Sequence, residues 1–252
     1  DQQCMSAANS DDNKVQFRKA EFETVDLVGE FDYGTDWDII TSFEVAEHVG
    51  KQNVPKFLDN IKKQKHGSVT EHAHVTLFIY GVSRSLTHEL VRHRLVDGPS
   101  QLSQRYVDGK ILRFVERFEY QKHPLLHEHF EHWVDMSEIE YESRRKLMLD
   151  YLKNQPGFLE MNTTDKRKAQ NQAARDCLPN ETETHLYLTA NLRSWRHIDE
   201  LRASEHADVS IRNLAIRTFL CFYFVTPNMF NDYRIKELPD GTYTVKTDYM
   251  KI

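Results

Sequence analysis

The stretch DVSIRNLAIRTFLCFYFV, residues 208–225, limits what this chain can fold into more than any other. It begins amphipathic and ends apolar all round, so it reads as a helix buried in a core or in a subunit interface. Strand signals stand around it. ETETHLYL, from Glu181 to Leu188, alternates at the two-residue period, and AHVTLFIYGVS, from Ala73, is rich in β-branched and aromatic residues and reads as a buried strand ending near Gly81. Helical spacing recurs at about Val54 to Lys63, Ser83 to Arg92, His127 to Leu152 and Asp165 to Cys177. Asn191 is placed to cap a further helix reaching Arg202, and Asp240-Gly241 marks a C-terminal hairpin.

Upstream, VQFRKAEFETVDLVG reads as extended segments and DWDIITSFEVAEHVG as a first helix, while Gln104 to Phe118 is expected to contain strand. Helices and strands without regular βαβ alternation predict an α+β fold, a single domain with a mixed or antiparallel sheet flanked by helices. No Gly/Ser-rich or Pro-rich linker and no repeat divides the 252 residues. Residues 1–13 are expected to be disordered or an extension added for expression, with one domain over 14–252.

A net charge of −6 lacks the positive field that drives non-specific nucleic-acid binding, so any bound anion must meet a local cluster. The three cysteines, Cys4, Cys177 and Cys221, have no Cys-x-x-Cys spacing, which fits ordinary thiols in a reducing compartment. No apolar run approaches the ~20 residues of a membrane span, and the polar start does not resemble a signal peptide. A soluble protein of the cytoplasm is expected. No G-x-G-x-x-G or Walker loop occurs, so side chains must grip any phosphate.

RHRLVDGPSQLSQRY, residues 92–106, supplies them: Arg92, His93, Arg94 and Arg105, with Ser100, Gln101, Ser103 and Gln104 between. Planar bidentate donors beside neutral hydroxyls and amides suit a phosphorylated ligand, and a solvated or ion-paired face is the alternative. A turn at Asp97-Gly98-Pro99 is expected to stop the preceding helix, leaving Glu89, Arg92 and His93 on one face near its end. A second cluster gathers Arg175, Asn191, Arg193, Arg196, His197, Arg202 and His206. Arg193 and His197 are i,i+4, and Arg202 and His206 repeat that spacing.

Other constellations are weaker. HPLLHEHFEH lacks the His-Glu-x-x-His register, so no metal site is expected. Glu71-His72-Ala73-His74 should open a strand with His72 and His74 on one face, in a structural role. Ser103 has no G-x-S-x-G elbow and fits a phosphate-binding hydroxyl; Cys177 reads as buried.

SVTEHAHVTLFIYGVSRSLTHELVRHR, SQLSQRY, RKAQNQAARDCLPNETET and NLRSWRHIDELRASEHADVSIRNLAI together resemble flavin-dependent thymidylate synthase, from about residue 40 to residue 230. One departure stands out. The family's Arg-His-Arg is followed by seven residues and then Ser, whereas LVDGPSQL places eight before Ser103; SQLSQRY then resumes in register.

The resemblance implies a homotetrameric enzyme with shared sites that uses FAD, NADPH and methylenetetrahydrofolate to convert dUMP into dTMP, in a bacterial or virus-infected cytoplasm. It implies that Ser68, Arg92, His93, Arg94, Gln101, Asn191, Leu192, Arg193 and His197 contact FAD. Glu89, Arg92, Gln101, Leu102, Ser103, Gln104, Arg105 and Arg175 are implied to contact dUMP, with the two ligands adjoining. Arg202 matches the arginine that activates the uracil ring, and His66 and Tyr106 match positions bordering the site. Two other readings remain open: a dUMP 5-hydroxymethylase on the same scaffold, motivated by the altered loop, and a non-catalytic nucleotide- or RNA-binding protein.

Overall fold

The structure, a computed structural model, describes residues 54–106 and 112–250. The extended segments and first helix expected before residue 54 lie outside the described residues. From there on the fold is α+β, with small antiparallel sheets flanked by helices.

Helix α1, Val54–Gln64, buries Val54, Leu58 and Ile61 at helical spacing. A 3-10 turn, Gly67–His72, leads into strand β1, His74–Ser83. The expected strand opening at Glu71 is therefore displaced: His72 belongs to the turn, and His74 instead meets Asp97 at 3.3 Å. Strand β1 also passes Gly81, which adopts φ 67°, and only Ile79 and Val82 within it are buried. Ser83 ends the strand and caps the next helix, its Oγ accepting from Leu86 N at 3.2 Å.

Helix α2, Arg84–Leu90, is shorter than the spacing predicts. Its last residue, Leu90, is buried, whereas Val91 and Arg92 beyond it are exposed. Arg92 and His93 thus follow the helix instead of riding on it. The turn expected at Asp97-Gly98-Pro99 is likewise absent, because Gly98–Gln101 forms strand β2. Proline is admissible there since β2 lies at the edge of the sheet order β1-β3-β2.

Helix α3, Phe118–Gln121, precedes the long α4, Pro124–Lys153, which starts with proline at its first turn. Between β2 and α3, Phe114 makes an isolated antiparallel bridge to Thr182, and the described residues of that stretch form no strand where one is expected. Helix α5, Thr163–Ala174, is capped by Asn162, whose Oδ1 accepts from Asp165 N at 2.8 Å; a 3-10 turn, Arg175–Cys177, follows it. Strand β3, Glu183–Asn191, buries Thr184, Leu186, Leu188 and Ala190 on alternate residues. It runs antiparallel to β1, with Arg84 N bonded to Thr182 O and Leu192 N to Ala73 O, and to β2, with Asp97 N bonded to Thr189 O and Leu102 N to His185 O.

Helices α6, Leu192–Arg202, α7, Val209–Val225, and α8, Pro227–Phe230, enclose an aromatic core. In it Trp195 lies 5.3 Å from Phe222, and Phe222 stacks on Phe230 at 5.1 Å. The last turn of α7 leaves Tyr223, Phe224 and Val225 exposed. Strands β4, Arg234–Glu237, and β5, Tyr243–Lys246, pair antiparallel from Arg234 opposite Lys246 to Glu237 opposite Tyr243, around Gly241 at φ 81°. The chain divides into two compact units. Among the described residues the first comprises 54–78, 93–98 and 189–250, the second 79–92, 99–106 and 112–188, so β1 and β3 each contribute to both. No described helix is long and apolar enough to cross a membrane.

Candidate functional site

In the first unit the site grows from the junction of β3 and α6. Asn191 ends the strand and caps the helix, Oδ1 accepting from Ser194 N at 2.8 Å, so no linker blurs the register of the residues that follow. Leu192 turns wholly into the core and gives its N–H to Ala73 O. Arg193 pairs with Glu71 of the 3-10 turn that also carries the exposed Ser68. His197, one turn on, lies 4.0 Å from Glu200.

The second-cluster residues do not all serve one face. Arg196 is completely buried and binds Asp232 through both Nη atoms, at 2.9 and 2.8 Å, so this arginine is a core ion pair. His206 lies in the loop after α6 and does not form the helical pair with Arg202 that its spacing suggested, because the helix ends at Arg202.

Arg202 makes the most telling contact: its Nε donates to Nε2 of His93 at 2.7 Å. An imidazole nitrogen accepting from a guanidinium must be unprotonated, which puts the ring proton on Nδ1. Burial, then the positive charge of Arg202 and the proximity of His197, push His93 down to about 4, so it is neutral at physiological pH. Arg92 and Arg94 project outward on either side of the buried His93, with no acidic partner among the described residues.

In the second unit, the loop Gln101–Arg105 hangs from α2 and β3. Gln101 Nε2 donates to Thr87 Oγ1 at 3.1 Å and to Thr184 Oγ1 at 3.2 Å, Leu102 N bonds His185 O at 2.9 Å, and Arg84 Nη2 bonds Leu102 O at 2.9 Å. Ser103 Oγ accepts from Arg105 N, and Asn171 Nδ2 reaches Arg105 O. Burial and the nearby Arg175 guanidinium both disfavour the charge on Arg84. Arg175 itself lies 3.9 Å from Asp176. Arg84 Nε, Gln104 Nε2 and Arg105 Nε are buried without acceptors. Like charges gathered with unmet donors are what an anion-binding loop requires. Glu89 sits half-buried on α2.

Arg84, Thr87 and Thr184 are the residues that sequence reasoning did not single out. Arg84 and Thr87 lie within the motif GVSRSLTHEL, and their i,i+3 spacing after a strand end is the signal that could have found them. Tyr106 is exposed beside Lys168, whose Nζ lies 5.0 Å from its ring, and His66 is exposed before the 3-10 turn. Cys177 is half-buried, and burial raises its thiol, so its surroundings do not activate it. Among the described residues no group of three or more His, Cys, Asp or Glu side chains could hold a metal ion.

The family description "Thymidylate synthase complementing protein" matches residues 16–228. A flavin-dependent thymidylate synthase of Corynebacterium glutamicum is 37% identical over 194 residues, covering 77% of this chain and 75% of that protein. The enzyme of that name from Mycolicibacterium vanbaalenii is 44% identical over 177 residues, covering 70% and 68%, and one from Mycobacterium tuberculosis is 41% identical over 186 residues, covering 74% and 72%. With the family match spanning residues 16–228 and relatives 37–44% identical over most of its length, the chain belongs to the thymidylate synthase complementing protein family, that of the flavin-dependent thymidylate synthases.

Proposed function

We propose that this protein is a flavin-dependent thymidylate synthase that converts dUMP into dTMP, with methylenetetrahydrofolate as carbon donor and NADPH as reductant through FAD. The observation that carries the reading is the bond from Arg202 to neutral His93, which orients the guanidinium. Held against the edge of a uracil ring, that charge stabilises the negative charge that makes C5 nucleophilic. No cysteine nucleophile is then needed.

The second unit carries a cluster suited to a phosphate. Arg105, Ser103 and Arg175 hold the anion, while Arg84 and Gln101 keep the loop in shape through Leu102 O and the two threonines. In the first unit, the outward guanidinium of Arg94, with Ser68, Arg193 and His197, fits a flavin dinucleotide. Bound FAD supplies the redox chemistry. Leu192 would contact it through backbone, since its side chain is in the core. The exposed Tyr223, Phe224 and Val225 support assembly into a homotetramer, which light scattering on the purified protein tests.

Incubation with dUMP, methylenetetrahydrofolate, FAD and NADPH should yield a nucleotide of the mass of dTMP. A 5-hydroxymethyl product would identify a hydroxymethylase, and failure to bind FAD would leave a nucleotide-binding protein without this chemistry. Arg202→Ala should lower kcat by about 10²-fold or more with flavin binding retained, and undiminished turnover would refute its role.

A further inference from the structure

The hairpin β4–β5 lies beyond residue 228, where the family match ends, yet it grips the end of α6. Thr244, buried in β5, donates its Oγ1 to Ala203 O at 2.7 Å, and Val245 N approaches the same carbonyl at 3.4 Å. Ala203 is the C-cap of α6 and the neighbour of Arg202. The last carbonyls of a helix have no partner within it, so Thr244 supplies from a distant element the acceptor's missing donor. The loop that follows is fixed from two sides: buried Arg212 of α7 donates Nη1 to Glu205 O at 2.9 Å and Nη2 to Asp240 Oδ2 at 2.7 Å, in the hairpin turn. Asp240 is held in turn by Thr242, whose N and Oγ1 both donate to its Oδ1.

We propose that the C-terminal hairpin is a positioning element for Arg202, with Thr244 and the Asp240–Arg212 pair fixing the last turn of α6 so that the guanidinium meets His93. This rests on the assignment of Arg202 made above. Thr244 touches no reacting atom and acts through the backbone of Ala203.

The experiment follows His93 itself. In the full-length protein with isotope-labelled histidine, the His93 resonance, assigned by its loss in His93→Gln, should titrate near 4, held there by burial, Arg202 and His197. In Thr244→Val it should move up toward the ordinary histidine value as Arg202 drifts away, while kcat falls by about 10- to 100-fold at unchanged flavin affinity. Thr244→Ser should restore both. Asp240→Ala, in the turn, should shift both in the same direction by less, and it keeps the question answerable should Thr244→Val not fold. Folded variants with the His93 titration and kcat of the wild type would overturn the proposal. A wild type that makes no dTMP would sink the functional reading alone, with the His93 titration still deciding whether the hairpin positions Arg202.

Discussion

Asp199 and His93 are buried groups whose ionisation is disfavoured, and they bend the stability curve in opposite directions. Asp199 is fully buried on α6, where Oδ1 accepts from Thr218 Oγ1 at 2.7 Å and Oδ2 has no partner. Burial pushes its acid well above the usual carboxylate value, more than Thr218 and Arg196 can offset. The folded state therefore keeps a proton that the unfolded state releases above about pH 4, and stability falls with rising pH by about 1.4 kcal/mol per unit while that difference lasts. His93 does the reverse: its folded value of about 4 lies below its ordinary 6.5, so between those values the unfolded state binds more protons. Its contribution is present above 6.5 and is lost as pH falls toward 4. Urea unfolding across this range should show Asp199→Asn removing the falling slope and His93→Gln the rising one. A slope unchanged in either variant would refute that group's part.

At the scale of elements, the junction of β3 and α6 fixes several candidate side chains with few residues. Asn191→Ala removes the bond to Ser194 N and should cost about 1 kcal/mol in urea unfolding, whereas Asn191→Asp should retain most of it. This junction was legible because alternation, cap residue and helical spacing agree at one place. The arginine loop was not legible in the same way. Gly98-Pro99 carries the strongest turn signal in the chain, but the signal is local, and only the position of β2 at the sheet edge tells that proline can sit in a strand there. The end of α2 was missed for a related reason, since helical spacing continues to Arg92 while the helix itself stops at Leu90 and leaves Val91 and Arg92 exposed. Arg196 shows the limit for the site: i,i+4 spacing groups residues by face, and only tertiary structure shows that the face bearing Arg196 is turned toward Asp232.

Across the whole chain, the residues implied for each ligand fall in both compact units, since Arg92 and Gln101 lie in the second with most of the dUMP set and Arg202 lies in the first. Ser68, His93, Arg94, Asn191, Leu192, Arg193, His197 and Arg202 belong to the first, and Glu89, Leu102, Ser103, Gln104, Arg105 and Arg175 to the second. What joins distant parts of the first unit is the carboxylate of Asp232. Lys62 of α1 reaches it at 3.3 Å and also donates to Asn228 O at 2.8 Å, Arg196 of α6 binds it at both oxygens, and Thr247 donates to it from beyond β5. Burial alone would raise this acid, but the bonds and charges of Arg196, Thr247 and Lys62 outweigh it and hold it below the usual range. Lys62 and Arg196 are themselves almost wholly buried; Lys62 keeps Asp59 at 3.0 Å, but deleting the carboxylate leaves the Arg196 cation in the core without its acid. Asp232→Ala should therefore cost about 3–5 kcal/mol, read as a lower urea midpoint at constant slope. Arg196→Met added to it should cost much less than the sum of the two single changes, because it removes the charge left unpaired. Additive losses would mean that Asp232 acts through packing and that the α1–α6–hairpin connection is not electrostatic.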